Sequence, residues 1–129
     1  MKKTECKLMD SSAWLSYFFA TSEQVKKIIE SNSMLYTSVI SIFEIKRKLM
    51  RDGFEGELEC VLTFVENRSI VINLDEDISR SAADLSIQYK LHAFDALIYA
   101  SAKAIDSELV TADSDFEKLD DVMIIQQEL

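Results

Sequence analysis

The sequence predicts an α/β fold in which about five mainly parallel strands form a sheet covered by helices. Two observations carry this expectation. Short runs rich in branched apolar residues recur near 6–9, 34–37, 69–74, 108–111 and 122–126, the length and composition of strands. The segments between them have helical length and apolar period, and parallel strands need crossovers of that size. Neither a linker, an internal repeat nor a composition shift divides the 129 residues, which contain no proline and only Gly53 and Gly56. A single domain over 1–129 is therefore expected.

Taken in order, the run Lys7-Leu8-Met9 ends on Asp10, and Ser11 and Ser12 lead into the helix-like AWLSYFFA. Trp14 to Phe19 places five large apolar residues in six positions, too many for one helical face. A deeply buried helix explains them; a dimer seam or a groove for a partner peptide is the sharper alternative. In VISIFEIKRKLM, Val39, Ile42, Phe43, Leu49 and Met50 read as one face of a helix carrying Glu44. Phe54, Leu58, Val61, Leu62 and Val65 read as the apolar face of the next helix. Asp75 and Asp77 suit the positive N-terminal end of a polar, alanine-containing helix. Phe94, Leu97, Ile98, Ser101, Ala104 and Ile105 form a stripe on a helix that also holds Asp95. The strand ELV then runs into the turn TADSD. In parallel sheets sites lie beyond the carboxyl ends of the strands, where Asp10 and Asp113 come.

A net charge of −9 argues against passive nucleic-acid binding, which needs a basic face. An acidic protein that handles nucleic acid needs local compensation, such as a bound divalent metal; otherwise the charge simply maintains solubility. No apolar run approaches the roughly 18 residues of a membrane span, and no secretory signal is visible, so a cytoplasmic location without membrane contact is expected. Cys6 and Cys60 are isolated from each other and from His92, which argues against zinc and disulfide frameworks. His92 itself reads as a helix-start or surface residue.

Each acid has a plain explanation on its own. Asp10 reads as an N-cap and Glu44 as a solvated glutamate. Asp95 is harder to dismiss, because LHAFDALIYASA is almost uncharged and aspartate is a poor helix former. Asx-turn chemistry explains one of Asp113 and Asp115, and two in alternation invite a ligand reading. A calcium loop starting at Asp113 would need glycine sixth and glutamate twelfth, where Lys118 and Ile124 stand.

Order and context bind these signals together. Strand–Asp, helix–Glu, helix–Asp and strand–T-x-D, ending in D-F, resemble the PIN-domain nucleases, and VapC-type toxins in particular. The resemblance runs from Leu8-Met9-Asp10-Ser11-Ser12 to the last strand and is most specific in FDALIYASAKAIDSELVTADSDF. It implies a PIN-like three-layer α/β/α fold with a central, mainly parallel sheet of about five strands. It also implies an acidic quartet of Asp10, Glu44, Asp95 and Asp113, an auxiliary acid in Asp115, and carboxylate-orienting hydroxyls on Ser12 and Thr111. Tyr99 departs from the family's usual small residue but removes no ligand.

Two carboxylates about 4 Å apart repel by roughly 4 kcal/mol at an effective dielectric near 20, so converging acids raise one another's pKa or recruit a cation. Oxygen-only donors suit Mg²⁺ or Mn²⁺ rather than zinc. Such a cation supports phosphodiester hydrolysis without a histidine or cysteine nucleophile. The leading expectation is thus an Mg²⁺- or Mn²⁺-dependent endoribonuclease, the toxin of a toxin–antitoxin pair. The resemblance favours a homodimer and a small antitoxin partner. A solitary PIN nuclease of RNA processing and a non-cleaving PIN-like binding module are the alternatives. Glu44, Lys48 and Arg51, at i, i+4 and i+7 with Arg47 beside them, offer either a strip guiding RNA phosphates or a Glu44–Lys48 surface pair.

Overall fold

The computed structural model describes residues 6–128. Within them the apolar runs become five strands, β1 (Cys6–Met9), β2 (Met34–Ser38), β3 (Ile70–Ile72), β4 (Glu108–Thr111) and β5 (Val122–Ile124). Six helices occupy the crossovers: α1 (Ser11–Phe18), α2 (Glu23–Ile29), α3 (Val39–Arg51), α4 (Leu58–Arg68), α5 (Glu76–Tyr89) and α6 (Ala93–Ala104). Short 3₁₀ turns cover Glu55–Glu57 and Ser114–Phe116.

The strands form one sheet in the order β3-β2-β1-β4-β5, and every pairing is parallel. Side-chain alternation along the central strands builds two cores. Leu8 and Leu109 enter one, with Ile78, Leu85, Ile98, Tyr99 and Phe116. Met9 and Val110 enter the other, with Trp14, Leu35, Ile45, Leu49 and Val65. Helices α1 to α4 therefore cover one face, and α5 and α6 the other. Right-handed crossovers require this: the chain steps outward through β2 and β3, then reverses across β1 to β4, which puts the later helices on the opposite face. The result is the α/β/α sandwich expected, with a sheet that is wholly rather than mainly parallel. Leu8, Met9, Leu109 and Val110 have no exposed surface, and each full burial stabilises by roughly 1.5–3 kcal/mol.

Three helical faces differ from the sequence expectation. The inner face of α3 is Ser41, Ile45 and Leu49, while Phe43 and Met50 are 48% and 46% exposed. Apolar residues lie on both sides of this helix, so composition could not tell which side meets the sheet. Phe54 stands outside α4, ahead of the 3₁₀ turn, so Leu58, Val61 and Val65 form the buried stripe. In α6, Phe94 and Ala104 are exposed, and burial runs almost continuously from Ile98 to Ala102 because the helix packs between sheet and α5.

Of the apolar cluster after Asp10, Trp14 and Leu15 are core residues, as a deeply buried helix requires. Tyr17 and Phe18 gather around Phe64, and Phe19, 42% exposed, pairs with Phe54 at 5.2 Å. Trp14 Nε1 donates to Thr37 Oγ1 at 3.1 Å, tying α1 to β2. Arg68 donates to the carbonyls of Ile29, Ser31 and Ser33, closing the chain beyond α2. No helix among the described residues is long and apolar enough to cross a membrane.

Candidate metal centre

β1 and β4 are neighbours, but the connections leaving them run in opposite directions, so a crevice opens beyond their carboxyl ends. The acids collect there. Met9 is in register with Val110, which sets Asp10 opposite Thr111. Asp10 caps α1, its Oδ1 accepting from Ala13 N at 3.0 Å and Ser12 Oγ at 2.7 Å. Its Oδ2 accepts from Thr111 Oγ1 at 2.5 Å. Both hydroxyls are themselves held: Ser12 Oγ accepts from Ala112 N at 2.8 Å and Thr111 Oγ1 from Asp113 N at 3.0 Å. Asp10 thus caps α1 and lies at the crevice at once, its carboxylate held by the hydroxyls of Ser12 and Thr111.

Glu44 reaches the crevice from α3, and it is half-buried rather than solvated, its Oε1 accepting from Ser11 Oγ at 3.1 Å. Asp95 lies in the first turn of α6, where the helix N-terminus favours negative charge. Asp113 follows β4 and caps the 3₁₀ turn, its Oδ1 accepting from Asp115 N at 2.9 Å, the Asx turn expected of TADSD. The tightest group is Asp95, Asp113 and Asp115, one carboxylate oxygen from each lying within 4.8 Å of the others. Asp115 therefore stands with Asp95 and Asp113, while Asp10 and Glu44 flank them.

The charges feel one another. Burial is the main cause that raises the Asp95 carboxyl to about 6, with Asp113 and Asp115 adding repulsion and His92 opposing it. Among the described residues no side-chain hydrogen bond helps to hold its charge. Burial also raises Glu44, with Asp10 and Asp95 adding to the shift and the Ser11 hydrogen bond and Arg47 opposing it. Asp10 is raised by burial against three hydrogen bonds that favour its charged form. A crowded, all-oxygen donor set that resists full ionisation fits a hard divalent cation.

The PIN-domain family model matches residues 7–122. The chain belongs to the PIN-domain family. No curated protein sequence matches it significantly. Solved structures repeat the PIN fold at low identity. A toxin–antitoxin complex from Klebsiella pneumoniae contains a chain 24% identical, with a TM-score of 0.74 over 91% of this chain and 95% of that one. VapBC2 from Rickettsia felis, bound to a promoter DNA fragment, gives 0.79 at 14% identity over 94% and 99%. The sarcin–ricin-loop-cleaving toxin VapC20 of Mycobacterium tuberculosis gives 0.75 at 15% identity over 93% and 99%.

Other features of this PIN domain were hidden in its sequence. A cleft of about 470 Å³ opens beside the acids, lined by Asp95 and Asp115 together with Tyr89, Lys90, His92 and Lys118. Lys90 sits there because it ends α5 in the left-handed conformation, a loop position that no periodicity marks. Of the α3 basic strip, Lys48 and Arg51 both bond Asp52, at 2.9 and 3.3 Å, so the Glu44–Lys48 pair gives way to a Lys48–Asp52 pair. Arg47 is the member whose charge acts on Glu44. His92 is exposed at the start of α6, as expected. Tyr99 is buried, and its hydroxyl donates to the Asp120 carbonyl at 2.9 Å, away from the acids.

Proposed function

We propose that this PIN domain is an Mg²⁺- or Mn²⁺-dependent endoribonuclease, the toxin of a toxin–antitoxin pair. The observation that carries the reading is the convergence of five carboxylates at the crevice, with Asp95 raised to about 6. Binding alone has no use for so many acids in one place. Asp95, Asp113 and Asp115 would hold the cation, with Asp10 and Glu44 completing the donor set. The cation, when bound, supplies charge neutralisation at the phosphodiester and acidification of water.

The chain's own residues do the rest. Ser12 and Thr111 keep Asp10 in one orientation, and Ser11 does the same for Glu44. Arg47, Lys48 and Arg51 on one side and Lys90 and Lys118 on the other offer contacts for phosphates entering an otherwise acidic surface. The fold shared with toxin–antitoxin and VapBC structures supports a small antitoxin as partner, and a homodimer and cytoplasmic location belong to the same reading.

The test is cleavage of an RNA oligonucleotide with Mn²⁺ against an EDTA control. Asp10→Asn and Asp95→Asn should each abolish cleavage while circular dichroism stays unchanged. Wild-type turnover in either variant would refute the assignment.

A further inference from the structure

We propose that Phe43 and Phe94, together with Arg47, form a stacking platform that positions one unpaired nucleobase of the substrate beside the acid cluster. The proposal rests on the nuclease reading above and adds the residues that position the substrate.

The two rings meet edge to face, 5.5 Å between centroids and 85° between planes, across the gap from α3 to α6. They are 48% and 37% exposed, so neither belongs to a core. Each immediately precedes an acid of the site, Phe43 before Glu44 and Phe94 before Asp95. The Arg47 guanidinium lies 5.1 Å from the Phe43 ring centre. A nucleotide is a flat aromatic surface joined to an anion, and this patch offers a counterpart to both halves. The cation is the more telling half, because it stands next to a cluster of acids on a chain of net charge −9. Stacking on aromatic side chains and on arginine recognises unpaired bases, whereas the base faces of a duplex are already covered.

Phe43→Leu and Phe94→Leu keep an apolar side chain and should leave the melting temperature nearly unchanged. Affinity is read by fluorescence anisotropy in EDTA, where binding is separated from cleavage. Each variant should bind a single-stranded RNA oligonucleotide about tenfold more weakly than wild type. A matched oligonucleotide made abasic at the stacked position should bind wild type and variants alike. In Mn²⁺ assays KM should rise by a similar factor while kcat holds.

Undiminished affinity of the leucine variants, an equal loss on the abasic RNA, or no single-strand binding by wild type would each overturn the platform. So would variants that keep RNA affinity but lose self-association, which would assign the rings to a protein interface. The two readings fail separately. Single-strand binding that the variants weaken, without any cleavage by wild type, would sink the nuclease and keep the platform. Normal cleavage by variants with unchanged KM would do the reverse.

Discussion

Thr111 donates its hydroxyl to Asp10 Oδ2 across the β1–β4 pairing, and the same hydroxyl accepts from Asp113 N. One buried side chain thereby couples the acid at the end of β1 to the acid at the end of β4. The parallel register makes the contact unavoidable, since Met9 pairs with Val110 and each strand then advances by one residue.

Thr111→Val keeps the shape of the side chain and removes the bond. Asp10 then loses one of the three hydrogen bonds that hold its raised pKa down, so its carboxyl should move further up. Unsatisfied buried groups of this kind cost about 1–3 kcal/mol. Loss of an orienting partner behind a ligand typically lowers metal affinity or activity by about 10- to 100-fold. We expect both losses in Thr111→Val, with Thr111→Ser restoring most of each, measured by Mn²⁺ calorimetry and urea unfolding. Wild-type Mn²⁺ affinity in the valine variant would show that the clamp has no part in cation binding.

The pH dependence of the cation-free protein follows from Asp95. Its folded pKa of about 6 exceeds the ordinary 3.8, so between these values the folded chain binds more protons than the unfolded one. Stability should therefore be fully favoured below that window and fall as pH rises through about 6. Raised Asp10 and Glu44 act in the same sense. Because Asp95 is half-exposed and water screens it, its share should be about 1 kcal/mol rather than the full shift. Melts in EDTA should give a higher Tm at pH 5 than at pH 7.5, with Asp95→Asn flattening the difference. Saturating Mn²⁺ should reverse the trend in wild type, adding about 2.7 kcal/mol at 100 Kd. An EDTA-treated protein more stable at pH 7.5 than at pH 5 would contradict the burial and mutual repulsion inferred for these acids.

The central strands and the acids were legible in the sequence for different physical reasons. Leu8-Met9 and Leu109-Val110 are buried on both faces, so they read as unbroken apolar runs, and their ends locate Asp10 and Asp113. Asp95 was conspicuous because it stands in an apolar helix. What escaped was whatever depends on which side of a helix meets the sheet. Apolar side chains surround α3, so its spacing puts Phe43 on the core face and leaves Ile45 unmarked, whereas packing buries Ile45 and exposes Phe43. Lys90 and Lys118 reach the cleft from loops, and no spacing rule brings them to Asp95. The closeness of Asp115 to Asp95 depends on how the turn after β4 folds toward the start of α6.

Lys7 and Glu108 test the frame that carries the site. They are register partners on β1 and β4, their charged atoms are 2.7 Å apart, and their side chains are only 9% and 19% exposed. A one-residue slip would separate them and would also turn Leu8 and Leu109 away from their core. Glu108→Ala leaves the Lys7 ammonium buried without its partner, which should destabilise the protein by roughly 3 kcal/mol. Replacing both, with Lys7→Met and Glu108→Leu, should recover most of that loss, because the desolvation of two charges no longer has to be offset. Urea unfolding of Lys7→Met, Glu108→Leu and the double variant gives the coupling directly. Additive losses would mean that the pair does not stabilise the β1–β4 register on which the Asp10–Thr111 contact depends.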